Sequence, residues 1–170
     1  MFGPIAETIG TARLALEPLA VEHAAEMAGV LADPRLHDYI GGEPLSPSEL
    51  RDRYARLAAG PEPFHQECWL NWIVRRVRDG RAVGTVQATV GPGAGGLRGS
   101  VAWVVGMPYQ GFGFATEAAA AMLAWLRRNG VAEITANIHP ENAPSAAVAH
   151  ALGLFPTAER TDGEIVWRAP

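Results

Sequence analysis

Val104-Val105-Gly106-Met107-Pro108-Tyr109-Gln110-Gly111-Phe112-Gly113-Phe114-Ala115 carries more architectural information than any other stretch of this chain. A run of β-branched residues ends, two glycines one residue apart follow, and an alanine-rich segment begins. That order reads as strand, tight turn and helix. Glycine lets the backbone approach an anion, the free N–H groups of a helix's first turn point at it, and the helix dipole adds partial positive charge. The run Gln110 to Ala115 therefore stands where a phosphate-binding turn belongs.

Upstream of this turn, Ser100 to Val105 reads as a strand; downstream, a helix runs from Ala115 to Arg128 and closes at Asn129-Gly130 in the manner of a left-handed cap. A strand from Glu133 to Ile138, a short helix from Pro144 to Leu152 and a hairpin complete this half. The hairpin arms are Thr157 to Arg160 and Glu164 to Arg168, with Asp162-Gly163 at the turn. In the N-terminal half, Leu14 to Leu16 reads as a strand and Leu19 to Ala32 as a helix stopped by Asp33-Pro34. Ser46, Pro47 and Glu49 form a capping box for a second helix reaching Ala59. Strands from Trp69 to Val77 and Ala82 to Val90 flank a hairpin signal at Asp79-Gly80. The order is β, two helices, an antiparallel meander, then β-α-β-α-β, with no linker, so residues 1–170 are expected to form one domain.

The 170 residues carry a formal net charge of −4, which offers no electrostatic footprint for nucleic acid. Cys68 is the single cysteine, so no intrachain disulfide or cysteine-based metal site can form, and a cytoplasmic setting is the expectation. Met1 to Arg13 lacks the basic start and apolar run of an export signal, and no apolar stretch is long enough to span a membrane. Gly91-Pro92-Gly93-Ala94-Gly95-Gly96 formally satisfies a dinucleotide-binding pattern, but a strand follows it and no helix. It reads as a flexible hairpin loop. The final hairpin offers an edge for pairing, so a homodimer is expected.

Gln110, Gly113 and Ala115 fill the specified positions of a Gln-x-x-Gly-x-Ala pattern that resembles the acyl-CoA pyrophosphate loop of the Gcn5-related N-acetyltransferase (GNAT) superfamily. Ala115-Thr116-Glu117-Ala118 is similar to the branch that contains ribosomal-protein N-terminal acetyltransferases. A second match lies at Asn142-Ala143-Pro144-Ser145 followed by Leu152-Gly153-Leu154, and Thr11-Ala12-Arg13-Leu14, Asp33-Pro34 and Trp69-Leu70-Asn71-Trp72 also resemble this branch. The resemblance implies an α/β (α+β) fold with a central mixed, mostly antiparallel sheet, two splayed parallel strands and flanking helices. It implies acetyl-CoA as co-substrate, no metal, and an amine acceptor that is a small molecule or a peptide. Gln110, Gly111, Phe112, Gly113, Phe114, Ala115 and Thr116 would then bind the cofactor's phosphates, and Asn142 and Ser145 its pantetheine arm or thioester. Asn142 also suits a helix cap.

Aminolysis of a thioester needs a neutral amine in place, stabilisation of the developing oxyanion, and a proton for the leaving thiolate. In the family, two parallel strands part to admit the pantetheine, and a backbone N–H of the first polarises the carbonyl. By resemblance these are Ser100–Val105 and Glu133–Ile138, with the N–H from Val104 or Val105. The family's acid is often a Tyr seven residues after the motif Asn, a position that here holds Ala149. Ser145 is the nearest substitute. His139 and His150 have suitable unperturbed pKa values for a base, although His139 equally suits bracing its turn and His150 equally suits solvent. Glu117 suits support of the helix N-terminus. Tyr39, Trp69, Trp72 and Trp103 are candidates for the acceptor wall, and ordinary core packing is the alternative for each. The missing Tyr keeps open a catalytically silent acyl-CoA-binding module, and an antibiotic or polyamine acetyltransferase is a variant of the same chemistry.

Overall fold

β-Strands dominate the fold because apolar runs alternate with short turns along most of the chain. The computed structural model describes residues 2–170. Strands β1 (Ile9–Gly10), β2 (Leu14–Pro18), β3 (Cys68–Arg76), β4 (Arg81–Gly93), β5 (Gly96–Val105), β6 (Val131–Ile138), β7 (Phe155–Thr161) and β8 (Glu164–Arg168) join in one eight-stranded sheet of order β1-β2-β3-β4-β5-β6-β8-β7. All neighbours are antiparallel except β5 and β6. This is the mixed, mostly antiparallel sheet that the sequence implies.

Both faces of the sheet are covered, and the residues of β3 show why. Leu70, Trp72 and Val74 face one core and Ile73 faces the other, so the strand reads as a nearly continuous apolar run. On the first face lies α4 (Phe114–Arg128), whose Ala118, Met122 and Leu126 recur at a spacing of four and lie buried. On the second face α1 (Ala24–Val30) and α3 (Pro47–Ala59) contribute Ala24, Met27, Leu50 and Tyr54. The capping box at Ser46 and Glu49 starts α3 as the sequence requires, with both reciprocal bonds made. Helix α5 (Ala143–Ala151) lies between β6 and β7.

Some boundaries differ from the sequence reading. The first helix begins as a 3-10 turn at Val21–His23, and only Ala24–Val30 is α-helical. Asp33-Pro34 does not end the helical region: the Asp33 carboxylate accepts from Arg35 N–H, starting a 3-10 turn that leads into α2 (His37–Ile40). Asp33 thus acts as a cap where Pro34 alone suggests a stop. The glycine run forms the hairpin turn that the sequence suggests, with β4 and β5 paired as far as Gly93 and Gly96, and Glu133 accepting from Gly95 N–H at 3.2 Å and from Arg98 at 2.9 Å. At the last hairpin, Asp162 and Gly163 take φ of 50° and 82°, the conformations that a two-residue turn needs.

The catalytically suggestive feature of the sheet is where pairing stops. β5 and β6 pair from Leu97 and Val131 to Val101 and Ala136, and no further. Beyond that point Ala102–Val105 stays on β4, while Asn137 and Ile138 pair with Val166 and Ile165 of β8. The two parallel strands therefore part at their C-terminal ends.

Candidate active site

Backbone groups on the parted edge follow from the alternation of an antiparallel ladder. Gly106 N–H donates to the Val83 carbonyl at 2.8 Å, which makes these residues a hydrogen-bonded pair. Counting back in twos, Val104 and Ala102 also turn their polar groups toward β4, and Trp103 and Val105 turn theirs toward the opening. The Val105 carbonyl confirms the direction by accepting from Gln110 Nε2 at 2.9 Å. Of the two N–H donors suggested by sequence, Val105 faces the opening and Val104 does not. Gly84 makes the approach of β4 and β5 possible, since a β-carbon there would lie 2.1 Å from the Val104 carbonyl oxygen.

At the end of β5 a 3-10 turn, Met107–Tyr109, delivers the chain to the glycine-rich turn. Gly113 caps α4 in the left-handed conformation, φ 81°, which glycine adopts without the penalty of a side chain. Its carbonyl accepts the first helical bond, from Glu117 N–H at 3.0 Å. Among the described residues, no N–H from Gly111 to Thr116 finds an acceptor. Phe112 is exposed, Phe114 is buried, and Ala115 and Thr116 are half-buried. Glu117 does support this helix end: its carboxylate accepts from the Thr11 hydroxyl at 2.6 Å, Arg13 N–H at 3.0 Å and Arg13 Nε at 2.7 Å. Burial pushes the Glu117 carboxyl up, but the Thr11 and Arg13 hydrogen bonds and the Arg13 charge outweigh it, and its pKa lies below the ordinary value.

Across the parted strands lies a cavity of about 590 Å³. Val101–Val104 of β5 and Ala136–His139 border it on either side of the opening, together with Asn142 and Ser145 of the α5 N-terminus. Tyr39 closes one flank: its hydroxyl donates to the Glu141 carbonyl at 3.3 Å and its ring centroid is 5.1 Å from that of His139. Asn142 caps α5 by accepting from Ser145 N–H at 3.2 Å. The Ser145 hydroxyl has no hydrogen-bond partner among the described residues.

The remaining candidates divide. Trp103, half-buried, packs against the same core cluster as Trp72 and also borders the cavity. Trp72 borders it, yet its ring is wholly buried, packs edge-on against Trp125 and donates to the Glu7 carbonyl, so it is a core residue. Trp69 lies off the wall, its indole donating to Glu67 at 2.7 Å, because it sits a pleat too early on β3. His150 is exposed and also off the wall, since five residues of helix turn it away from Ser145. His139 is on the wall, but its Nδ1 accepts from Glu141 N–H at 3.0 Å. In the neutral ring the proton then resides on Nε2, which leaves no nitrogen free to accept another. Ala149 is fully buried in the main core.

Sequence reasoning missed part of this wall. Asn71, Thr85, Gln87 and Ser100 form an uncharged polar floor, visible in hindsight as polar residues alternating with Trp72, Val86 and Val101. Tyr54 of α3 is only 3% exposed, and its hydroxyl has no partner. Burial pushes its pKa up to about 12.

The sequence pattern of the family described as acetyltransferase (GNAT) domain matches residues 13–154. No curated protein sequence matches the chain. Among solved structures, a ribosomal L7/L12 alpha-N-protein acetyltransferase in complex with coenzyme A is 15% identical with a TM-score of 0.79, covering 95% of this chain and 97% of that one. An acetyl transferase from Salmonella typhimurium that modifies the N-terminal serine of a 50S ribosomal subunit protein is 15% identical, TM-score 0.76, over 95% and 96% of the two chains. An acetyltransferase from Agrobacterium tumefaciens is 26% identical, TM-score 0.72, over 97% and 95%. With a parted pair of parallel strands, a loop of free N–H groups at their end and a family match over most of its length, the chain belongs to the GNAT acetyltransferase family.

Proposed function

We propose that the protein transfers acetyl from acetyl-CoA to a primary amine by direct attack in a ternary complex, with the α-amine of a protein or peptide as acceptor. The observation that carries this reading is that one strand, β5, serves two sites at once. Ser100–Val104 line the cavity, and Val105 leads through the 3-10 turn Met107–Tyr109 into the loop of unpaired N–H groups. The loop fits a pyrophosphate because its glycines leave the backbone accessible and its donors are free.

When bound, acetyl-CoA supplies an activated thioester. The N–H groups of Gly111 through Thr116 would hold its pyrophosphate, and those of Trp103 and Val105, whose direction the ladder fixes, would polarise its thioester carbonyl. Ser145 borders the cavity and would give its hydroxyl proton to the departing sulfur while regaining one from the water that took it from the amine. Glu43 and Glu164 also border the cavity, but no hydrogen bond among the described residues orients either carboxylate, so the acceptor enters as the free amine and water takes its proton. An α-amine, with an ordinary pKa near 8, suits this arrangement better than a lysine side chain near 10.4. The solved neighbours that act on ribosomal-protein N-termini support the same acceptor class.

The test is calorimetric titration with acetyl-CoA, CoA and NAD, followed by a thiol-release assay on N-terminal peptides, spermidine and an aminoglycoside. The reading expects acetyl-CoA binding, no NAD binding, and thiol release with a peptide whose rate climbs with pH and levels off near 8. Ser145→Ala should lower kcat with little change in acetyl-CoA affinity. The buried Ala149 favours one other reading, an acyl-CoA-binding module without catalysis; binding without thiol release from any acceptor selects it.

A further inference from the structure

The loop at the start of α4 brings no positive charge of its own to a ligand that is doubly negative at its pyrophosphate. Gln110 is neutral, and its carboxamide nitrogen is already engaged by the Val105 carbonyl at 2.9 Å. A cation reaches the loop from elsewhere in the chain. Arg13, at the entry to β2, leans across the helix end with its guanidinium carbon 4.6 Å from the centroid of the Phe114 ring. One of its terminal nitrogens lies 3.5 Å from where a β-carbon on Gly113 would stand.

Glu117 fixes the guanidinium by its Nε alone, at 2.7 Å. Neither terminal nitrogen of Arg13 donates to any acceptor among the described residues, and the side chain is 46% exposed. The Glu117 carboxylate faces Thr11 and the Arg13 N–H, so this ion pair turns its positive end toward Gly113. Arg13, Arg76, Arg78, Phe112 and Phe114 also border a groove of about 440 Å³ beside the loop, which gives a phosphate room to meet the guanidinium. Arg76 is taken by Asp79, whereas Arg13 keeps its outer donors.

We propose that Arg13 is a ligand of the cofactor's pyrophosphate, supplying the charge that the neutral Gln110 does not. Guanidinium suits this task because two parallel N–H groups match a phosphate edge and a hydrogen bond to an anion is stronger than one between neutral groups. The proposal rests on acetyl-CoA being the cofactor, and its test separates the two.

Calorimetric titration of the full chain with CoA and with 3′-dephospho-CoA, at low and moderate salt, supplies the measurement. Arg13→Gln should raise Kd for both ligands by the same factor, roughly 10- to 100-fold, and flatten the salt dependence. Arg13→Lys should keep the salt dependence with an intermediate Kd, and it serves as the second variant if Arg13→Gln fails to fold. Glu117→Ala, which removes the brace but keeps the cation, should lose less than Arg13→Gln.

An Arg13→Gln affinity within about twofold of wild type overturns the proposal. So does a loss seen with CoA and absent with 3′-dephospho-CoA, which would place Arg13 on the 3′-phosphate. Equal losses in Glu117→Ala and Arg13→Gln, with salt dependence intact in both, would reduce Arg13 to a brace. Wild-type protein that binds neither ligand removes the cofactor reading itself, and this proposal with it.

Discussion

From Gly111 to Thr116 the protein exposes unpaired backbone N–H groups, whereas the cavity between α3 and the sheet exposes side chains drawn from elements far apart in the chain. The first region needs glycine and a helix start, and its neighbours are close in sequence. The second needs Tyr39, Asn71, Gln87, Ser100 and Ser145 to converge, which only the packed sheet and helices accomplish. A backbone site tolerates drift in side chains and keeps a short readable pattern. A side-chain site sets specificity and leaves no such pattern.

The largest expected effect falls where the two regions share a support. Gly84→Ala places a β-carbon 2.1 Å from the Val104 carbonyl oxygen, so β4 and β5 must separate. A loss of about 3 kcal/mol is expected, visible as a drop of roughly 6–12 °C in Tm, with cofactor binding and turnover falling together. A silent substitution would mean that the two sites do not depend on that close approach.

Acid sharpens the comparison at smaller magnitude. Glu117 clamps the proposed cofactor side, and Glu26 clamps the proposed acceptor side by accepting from Ala82 N–H at 3.0 Å and from Arg75 at 3.1 Å. In each, burial pushes the carboxyl up, while hydrogen bonds and arginine charge bring it below its ordinary 4.5. The unfolded chain therefore binds more protons, so both contributions are full above pH 4.5 and fade as pH drops through the lower folded values. Glu26→Gln and Glu117→Gln should each flatten the acid limb of stability, measured by denaturation between pH 3 and 7. Glu26→Gln should leave acetyl-CoA affinity unchanged; a change there would show the two sides to be coupled.

The smallest effect is expected at Tyr54. Tyr54→Phe removes a buried hydroxyl that has no partner, so stability should stay within about 0.5 kcal/mol of wild type or rise, and cofactor binding should not change. A marked fall in Tm would reveal a partner for that hydroxyl.

Much of this is legible in the sequence. The capping box at Ser46, the turn at Asp162-Gly163 and the strand-turn-helix at Gln110–Ala115 are local devices, each set by a few adjacent residues, and each forms as read. The two-residue strand β1 leaves no signal in the sequence because so short a segment has no periodicity of its own. His139 was ambiguous in sequence, and its hydrogen bond to Glu141 assigns it to the turn. Aromatic residues are weak guides: Trp69, Trp72 and Trp103 look alike in sequence, yet Trp69 bonds Glu67, Trp72 is wholly buried, and Trp103 lies half-buried between the core and the cavity.

By itself the sequence determined the order of the longer elements, the presence of a phosphate-suited turn and the family, because hydrophobic period, glycine placement and helix caps act over a few residues. Tertiary structure decided which N–H groups face the opening, where β5 and β6 part, and which side chains meet across it. Those depend on ladder register and on contacts between residues as distant as Arg13 and Glu117, and no local pattern encodes them.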